Sequence, residues 1–381
     1  MKRGVLLKSG AGVVVVALGG FGGWLLTLPP AAAAAGAPPI DSREAQAMLE
    51  ALKPPKRPRP VVAVVGINDA TETNDYLMPT GILRRADVAD VTMVATQAGP
   101  VRLYPALTVQ PDATVTEFDA HYPDGADYVI VPAMSRDDDP AALTWIKHQA
   151  AKGATVIAVC AGAKVVAAAG LLDGRRATTH WYYLRALRRN SHIVYVKDRR
   201  FLVDRHVATT TGISAAMPMS LTLVEAIAGR PRAAAVARDL GVTRWDARHD
   251  SGAFMFTRPF ALTVLRNGVA FWHRETLGIE LSPGIDEVSL ALVADAWSRT
   301  YRSRAVTFAS AAGPIESGNG VRIMPDRISN SWPSDRVLPA IGRRTPSEAL
   351  DHALAEIGDR YGTRTSGIVA MQLEYPRQEP L

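Results

Sequence analysis

Between residues 61 and about 230, short unbroken apolar runs alternate with stretches whose apolar residues recur at helical spacing. The runs at 61–65, 91–95, 127–131 and 155–159 predict strands, the third entered through the turn Asp124-Gly125. The stretches at 76–85, 140–151 and 163–169, the last closed by Gly170, predict helices. A strand with one wet face alternates apolar and polar residues. These runs do not, so both of their faces must be covered. Covered strands separated by helices make a parallel sheet with helices on each side, a doubly wound α/β domain. Upstream, residues 42–52 predict a short helix capped by Asp41 or Ser42. The run Lys53-Pro54-Pro55-Lys56-Arg57-Pro58-Arg59-Pro60 ends that helix and predicts an extended, solvated spacer.

The pattern returns towards the C-terminus. Ala98-Gly99-Pro100 is followed by Pro111-Asp112, and Ala312-Gly313-Pro314 is followed at the same spacing by Pro325-Asp326. Asp75 leads a helix and the strand 91–95, and Asp286 leads a helix and a strand at 305–309. Residues 266–330 are therefore expected to be a partial second α/β copy of the domain's opening third, without a cysteine. The expected organisation is a targeting segment (1–40), a helix and basic linker (41–60), the main domain (61–230) and a C-terminal repeat domain (231–381).

Residues 1–40 have a different texture. Lys2, Arg3 and Lys8 precede an uncharged run at 10–28, then Pro29-Pro30 and the alanines 31–35. The run is longer than the roughly 7–15 residues of a signal-peptide core and just short of the ~20 of a spanning helix. It is expected to be an uncleaved membrane anchor or a signal peptide. Either keeps the positive end inside, so the bulk of the chain is expected at the inner membrane facing the periplasm or exterior, or exported. The net charge of +6 is spread over Arg-containing turns, and no helix-turn-helix pattern follows residue 230, so no nucleic-acid partner is expected. The one cysteine excludes an intramolecular disulfide and a thiolate-rich metal site. With no histidine pair at i, i+4 and no phosphate-cradling glycine loop, neither metal nor cofactor is expected. His148 and His206 read as surface or packing residues.

That cysteine, Cys160, stands where the strand 155–159 runs into a helix through Ala161 and Gly162. Small residues at such an elbow let a nucleophile sit at the carboxyl end of a sheet. The helix N-terminus is expected to lower the thiol pKa, and the N–H after the nucleophile to receive developing negative charge.

Cys160-Ala161-Gly162-Ala163, followed by Ala168-Ala169-Gly170-Leu171-Leu172-Asp173-Gly174-Arg175-Arg176-Ala177-Thr178-Thr179-His180-Trp181, resembles the ThiJ/PfpI superfamily of class I glutamine amidotransferase-like domains. The resemblance is strongest to the branch holding isonitrile hydratases and the amidotransferase-like halves of AraC-type regulators. Thr211-Gly212-Ile213-Ser214-Ala215 and the opening from Asp75 to Pro79 extend it over 61–230. It implies a flavodoxin-like sheet with Cys160 on its elbow and a catalytic set of Cys160, Asp75 and His180: Asp75 touches the sulfur as its acid partner, with Glu72 one turn earlier as the rival carboxylate, and His180 lies near the thiol. It also implies a pocket formed by Ala161, Gly162, Ala133, Met134 and Trp181. Ala161 stands where the proteolytic branch has histidine, which argues against a protease. Pro132-Ala133-Met134 replaces Pro-Gly-Gly, and Pro218 replaces an aspartate. The implied activity is a cofactor-free cysteine hydrolase, hydratase or lyase acting on a small electrophile. The alternative is a ligand-binding or stress-sensing module without turnover. A small-molecule substrate or effector, the membrane, and a second copy in a homodimer are the expected partners.

Overall fold

A computed structural model describes residues 22–32 and 35–376. Most of the run expected as an anchor or signal lies outside the described residues. Residues 22–27 are helical, and among the described residues no helix is long and apolar enough to cross a membrane.

The main sheet has seven strands in the order Phe201–Asp204, Val207–Thr210, Thr155–Ala158, Tyr128–Val131, Val61–Gly66, Asp90–Ala95, Ala113–Thr114. All neighbours are parallel except the edge hairpin of the first two. The chain enters at Val61–Gly66, builds outwards on one side and then crosses to the other, as in flavodoxin-like folds. The expected reason for the apolar runs holds residue by residue. Val62 and Val64 enter one core, with Tyr76, Leu77 and Ile82 from the helix Thr73–Ala86. Val61, Ala63 and Val65 enter the other, with Phe118, Trp145 and Ile146. Because a strand's side chains alternate, an unbroken run serves two cores at once.

Two local expectations are corrected. The first helix of the domain starts at Thr73 rather than near Tyr76, and its N-cap is Glu72, whose side chain accepts from the Asp75 N–H. The basic stretch before Val61 is largely exposed, as expected, but it is fastened to the domain rather than free. Lys56 Nζ donates to the carbonyls of Asp124 and Ala126, Arg57 pairs with buried Asp127 at 2.5 Å, and Arg59 pairs with Asp87 and Asp90. The helix Ser42–Ala51, capped by Asp41, is likewise fastened, with Leu52 fully buried and its carbonyl accepting from Tyr128 Oη.

The C-terminal region repeats the opening of the domain. The strand Glu275–Glu280 runs parallel to Ser303–Ala309, as Val61–Gly66 does to Asp90–Ala95. In the first copy Val94 pairs with Ala113 and Val101 with Val109. In the second, Phe308 pairs with Arg327 and Ile315 with Ile323, each residue 214 positions later. Even the bracing bond recurs, from Met93 N–H to Asp112 Oδ2 and from Thr307 N–H to Asp326 Oδ2. The copy starts at Glu275 rather than 266, because Arg266 belongs to the helix Arg258–Val269. After Arg327–Ile328 no counterpart of the elbow strand follows among the described residues.

Candidate active site

The strand Thr155–Ala158 and the helix Gly162–Ala168 are joined by three residues, so the chain must reverse within them. It does so by holding Cys160 at φ 56°. That left-handed backbone costs a residue with a Cβ on the order of 1–2 kcal/mol. Three hydrogen bonds hold it. Cys160 N–H donates to Thr210 Oγ1 at 2.9 Å, Thr179 Oγ1 donates to Cys160 O at 3.1 Å, and Gly162 N–H donates to Val159 O at 2.8 Å. A Cβ on Gly162 would stand 2.0 Å from Val131 O, so the helix can approach the sheet this closely only at a glycine. Gly162 therefore packs the elbow, and its N–H is already committed. The Ala161 N–H is the one that bonds the sulfur.

Glu72 caps the helix Thr73–Ala86 and Asp75 lies in its first turn, at the carboxyl ends of the central strands where such sheets bind ligands. Both are buried. Asp75 Oδ2 accepts from Ala133 N–H at 3.0 Å, and its Oδ1 is buried without a partner. The Ala133 N–H thus orients Asp75. Ala133 and Met134 still line the cavity over Cys160.

His180 also lines that cavity. Its Nε2 bonds the Gln372 carbonyl at 2.9 Å, and its Nδ1 accepts from the Tyr182 N–H at 3.1 Å. Both nitrogens are occupied, and burial pushes its pKa down to about 4. It is a neutral wall residue with no free nitrogen for a proton relay. Trp181 is not in the wall. Its indole N–H donates to Met371 O, and its ring packs against Phe256 and Phe260. The C-terminal helix Thr363–Leu373 draws it there, and Glu374 just beyond accepts from the Trp181 and Gly212 N–H groups.

The cavity has a volume of about 320 Å³, at the small end for ligand pockets. Besides the residues above, Tyr104, Lys164, Tyr183 and Arg299 line it. Sequence reasoning missed these. Arg299 matters most, since its guanidinium pairs with Glu72 at 2.8 Å and with Asp295 at 2.6 Å.

Burial raises Asp75 to about 7 and lifts Glu72 well above the usual carboxylate range, where the charge on Asp75 adds to the effect. The Cys160 thiol is raised as well, first by burial and then by the Asp75 and Glu72 charges. The expected lowering of the thiol is overturned. The single Ala161 N–H and the end of a seven-residue helix are outweighed by desolvation and two carboxyl groups. A carboxyl group that titrates near neutrality beside a thiol can take the sulfur's proton and give it back.

Residues 61–226 match the model of the DJ-1/PfpI family. An isonitrile hydratase from Pseudomonas putida is 41% identical over 92 residues, 24% of this chain and 40% of that protein. The HTH-type transcriptional regulator GbdR of Pseudomonas aeruginosa is 37% identical over 94 residues, 25% of this chain and 26% of the regulator. The chain thus spans less than half the length of either relative. Among solved structures, Drosophila melanogaster DJ-1beta aligns with a TM-score of 0.44 and 23% identity, over 49% of this chain and 100% of that one.

Proposed function

Residues 61–226 form a DJ-1/PfpI family domain, and on that premise we propose that this protein is a cofactor-free, cysteine-dependent hydratase, hydrolase or lyase for a small electrophile. The observation that carries the reading is Cys160, held at a strained elbow under a small cavity whose wall includes Glu72, with Asp75 buried behind that wall, one of its oxygens unpartnered and its charge felt by the sulfur. The sulfur adds to the electrophilic carbon while its proton passes to Asp75. Asp75 returns the proton to the adduct, and water displaces the sulfur, so the net change is addition of one water and the thiol is restored. The Ala161 N–H bears the charge that develops. The cavity, at about 320 Å³, admits a small molecule. In the same reading, the basic and apolar pattern of residues 1–40 holds this chemistry at the membrane or beyond it.

The relative named for isonitrile hydration supplies the probe. A small alkyl isonitrile incubated with the full chain is expected to give the N-substituted formamide, with Cys160→Ser as the blank. Formation at the same rate in both proteins removes the enzyme reading. A second reading, a ligand-binding domain without turnover, is favoured by the raised thiol and by the similarity to a regulator. Saturable binding of the isonitrile with no product would establish that reading in place of the first.

A further inference from the structure

The two copies meet as equals. The strand Thr108–Gln110 pairs antiparallel with Arg322–Met324, in the register Arg322 to Gln110, Ile323 to Val109 and Met324 to Thr108. At an offset of 214 residues, Ile323 is the counterpart of Val109. The strand therefore pairs with its own equivalent about a local two-fold through that pair. The helices obey the same axis. Thr73–Ala86 packs antiparallel on Glu287–Ser298, close enough that a Cβ on Gly81 would lie 2.5 Å from Glu287 Oε1. An ion pair closes each end. Arg299, at the C-cap of the second helix, meets Glu72, the N-cap of the first. Arg85, in the last turn of the first, meets Asp286, the N-cap of the second. Like surfaces meeting about a two-fold make the closed interface of a symmetric dimer. Here one chain supplies both sides.

The symmetry is broken in chemistry. At one end of the helix pair the ion pair lies in the wall of the Cys160 cavity. The other end has no elbow, because the second copy lacks that strand. We propose that the C-terminal copy stands in for a second subunit, and that Arg299, which it contributes, is a positioning residue for Cys160. By pairing with Glu72 and Asp295, Arg299 sets the pH at which the acidic cluster beneath the sulfur releases its protons. A nearby cation favours every deprotonated state of such a cluster, so its loss delays each step of proton release. This rests on Cys160 being reactive, though not on turnover.

Cys160 is the chain's one cysteine, so the intact mass of the full chain reports its alkylation by iodoacetamide directly. The rate is measured from pH 6 to pH 10 in wild type, Arg299→Gln, Arg299→Lys and Arg85→Gln. Arg299→Gln is expected to move the inflection to higher pH and slow the reaction at pH 8 on the order of tenfold, one pKa unit being a factor of ten in thiolate. Arg299→Lys keeps the charge and should keep most of the rate. Arg85→Gln breaks the symmetry-related pair, far from the sulfur, and should leave the profile unmoved. Coincident profiles for all four proteins, or equal displacement by Arg299→Gln and Arg85→Gln, overturn the positioning role. If Arg299→Gln does not fold, Glu72→Gln decides. Removing the carboxyl group that Arg299 holds must shift the inflection, and an unmoved profile overturns the role. Light scattering should give the mass of one chain, and a dimer that leaves the Val109–Ile323 pairing for a second copy overturns the stand-in. A wild-type protein that alkylates without turning over substrate removes the proposed function and leaves this inference standing.

Discussion

Asp75→Asn should make the protein more stable at alkaline pH, by an amount the burial of this carboxyl group sets. The substitution preserves size, and the amide oxygen can still accept from Ala133 N–H, as Asp75 Oδ2 does at 3.0 Å. What it removes is a charge in a fully buried site. In the folded chain Asp75 titrates near 7, whereas an unperturbed aspartate titrates near ~3.9. A folded-state value above the unfolded one means that the native state binds the extra proton at intermediate pH. The stability this confers is complete below the unfolded value and is lost as pH rises through the folded one. From pH 5 to the folded value the interval is about two pH units at ~1.36 kcal/mol each, or about 2–3 kcal/mol. Wild type loses this amount between pH 5 and pH 8, and the asparagine variant does not. Glu374, also raised to about 7, and buried His180 contribute to the pH dependence of both proteins, so the difference between them reports Asp75 together with the effect of its charge on Glu72 and Cys160. The assay is urea unfolding of both full chains at pH 5 and pH 8. The variant's advantage should grow by about 2–3 kcal/mol between the two. An advantage independent of pH, or one that shrinks as pH rises, would mean that Asp75 is ionised throughout and would refute the account of a carboxyl group poised beside the sulfur.

Two further outcomes follow from the elbow and the N-terminus. Gly162→Ala places a Cβ 2.0 Å from a backbone oxygen that cannot rotate away, and should destabilise the fold by about 3 kcal/mol or more; unfolding within about 0.5 kcal/mol of wild type would show that the helix does not need this approach. Residues 1–40 should hold the chain at the membrane or export it, so a reporter fused after residue 60 should be active only outside the cytoplasm. A wholly soluble cytoplasmic product would remove that reading.

What the sequence by itself determined was whatever local patterns control. Unbroken Val and Ile runs specify strands buried on two faces, and Val62 and Val64 part from Val61, Ala63 and Val65 as that pattern requires. The sequence Cys160-Ala161-Gly162 specifies an elbow, because only glycine allows the approach to Val131. Two turn tripeptides at equal spacing from a Pro-Asp pair disclosed the second copy, since its hairpin and bracing aspartate repeat the first. Tertiary structure decided the electrostatics. The sign of the thiol's shift depends on how much water burial removes and on which charges gather around the sulfur, and neither is a property of neighbouring residues. His180 lines the cavity without a free nitrogen because a carbonyl at residue 372 took its second one. The basic stretch before Val61 lost its freedom because Asp127 and the carbonyls of the 124–126 turn lay within reach. Arg299 stands 227 positions from the glutamate it holds, and no spacing rule connects them. They meet because two copies of one unit pack about a common axis, and that packing exists only in three dimensions.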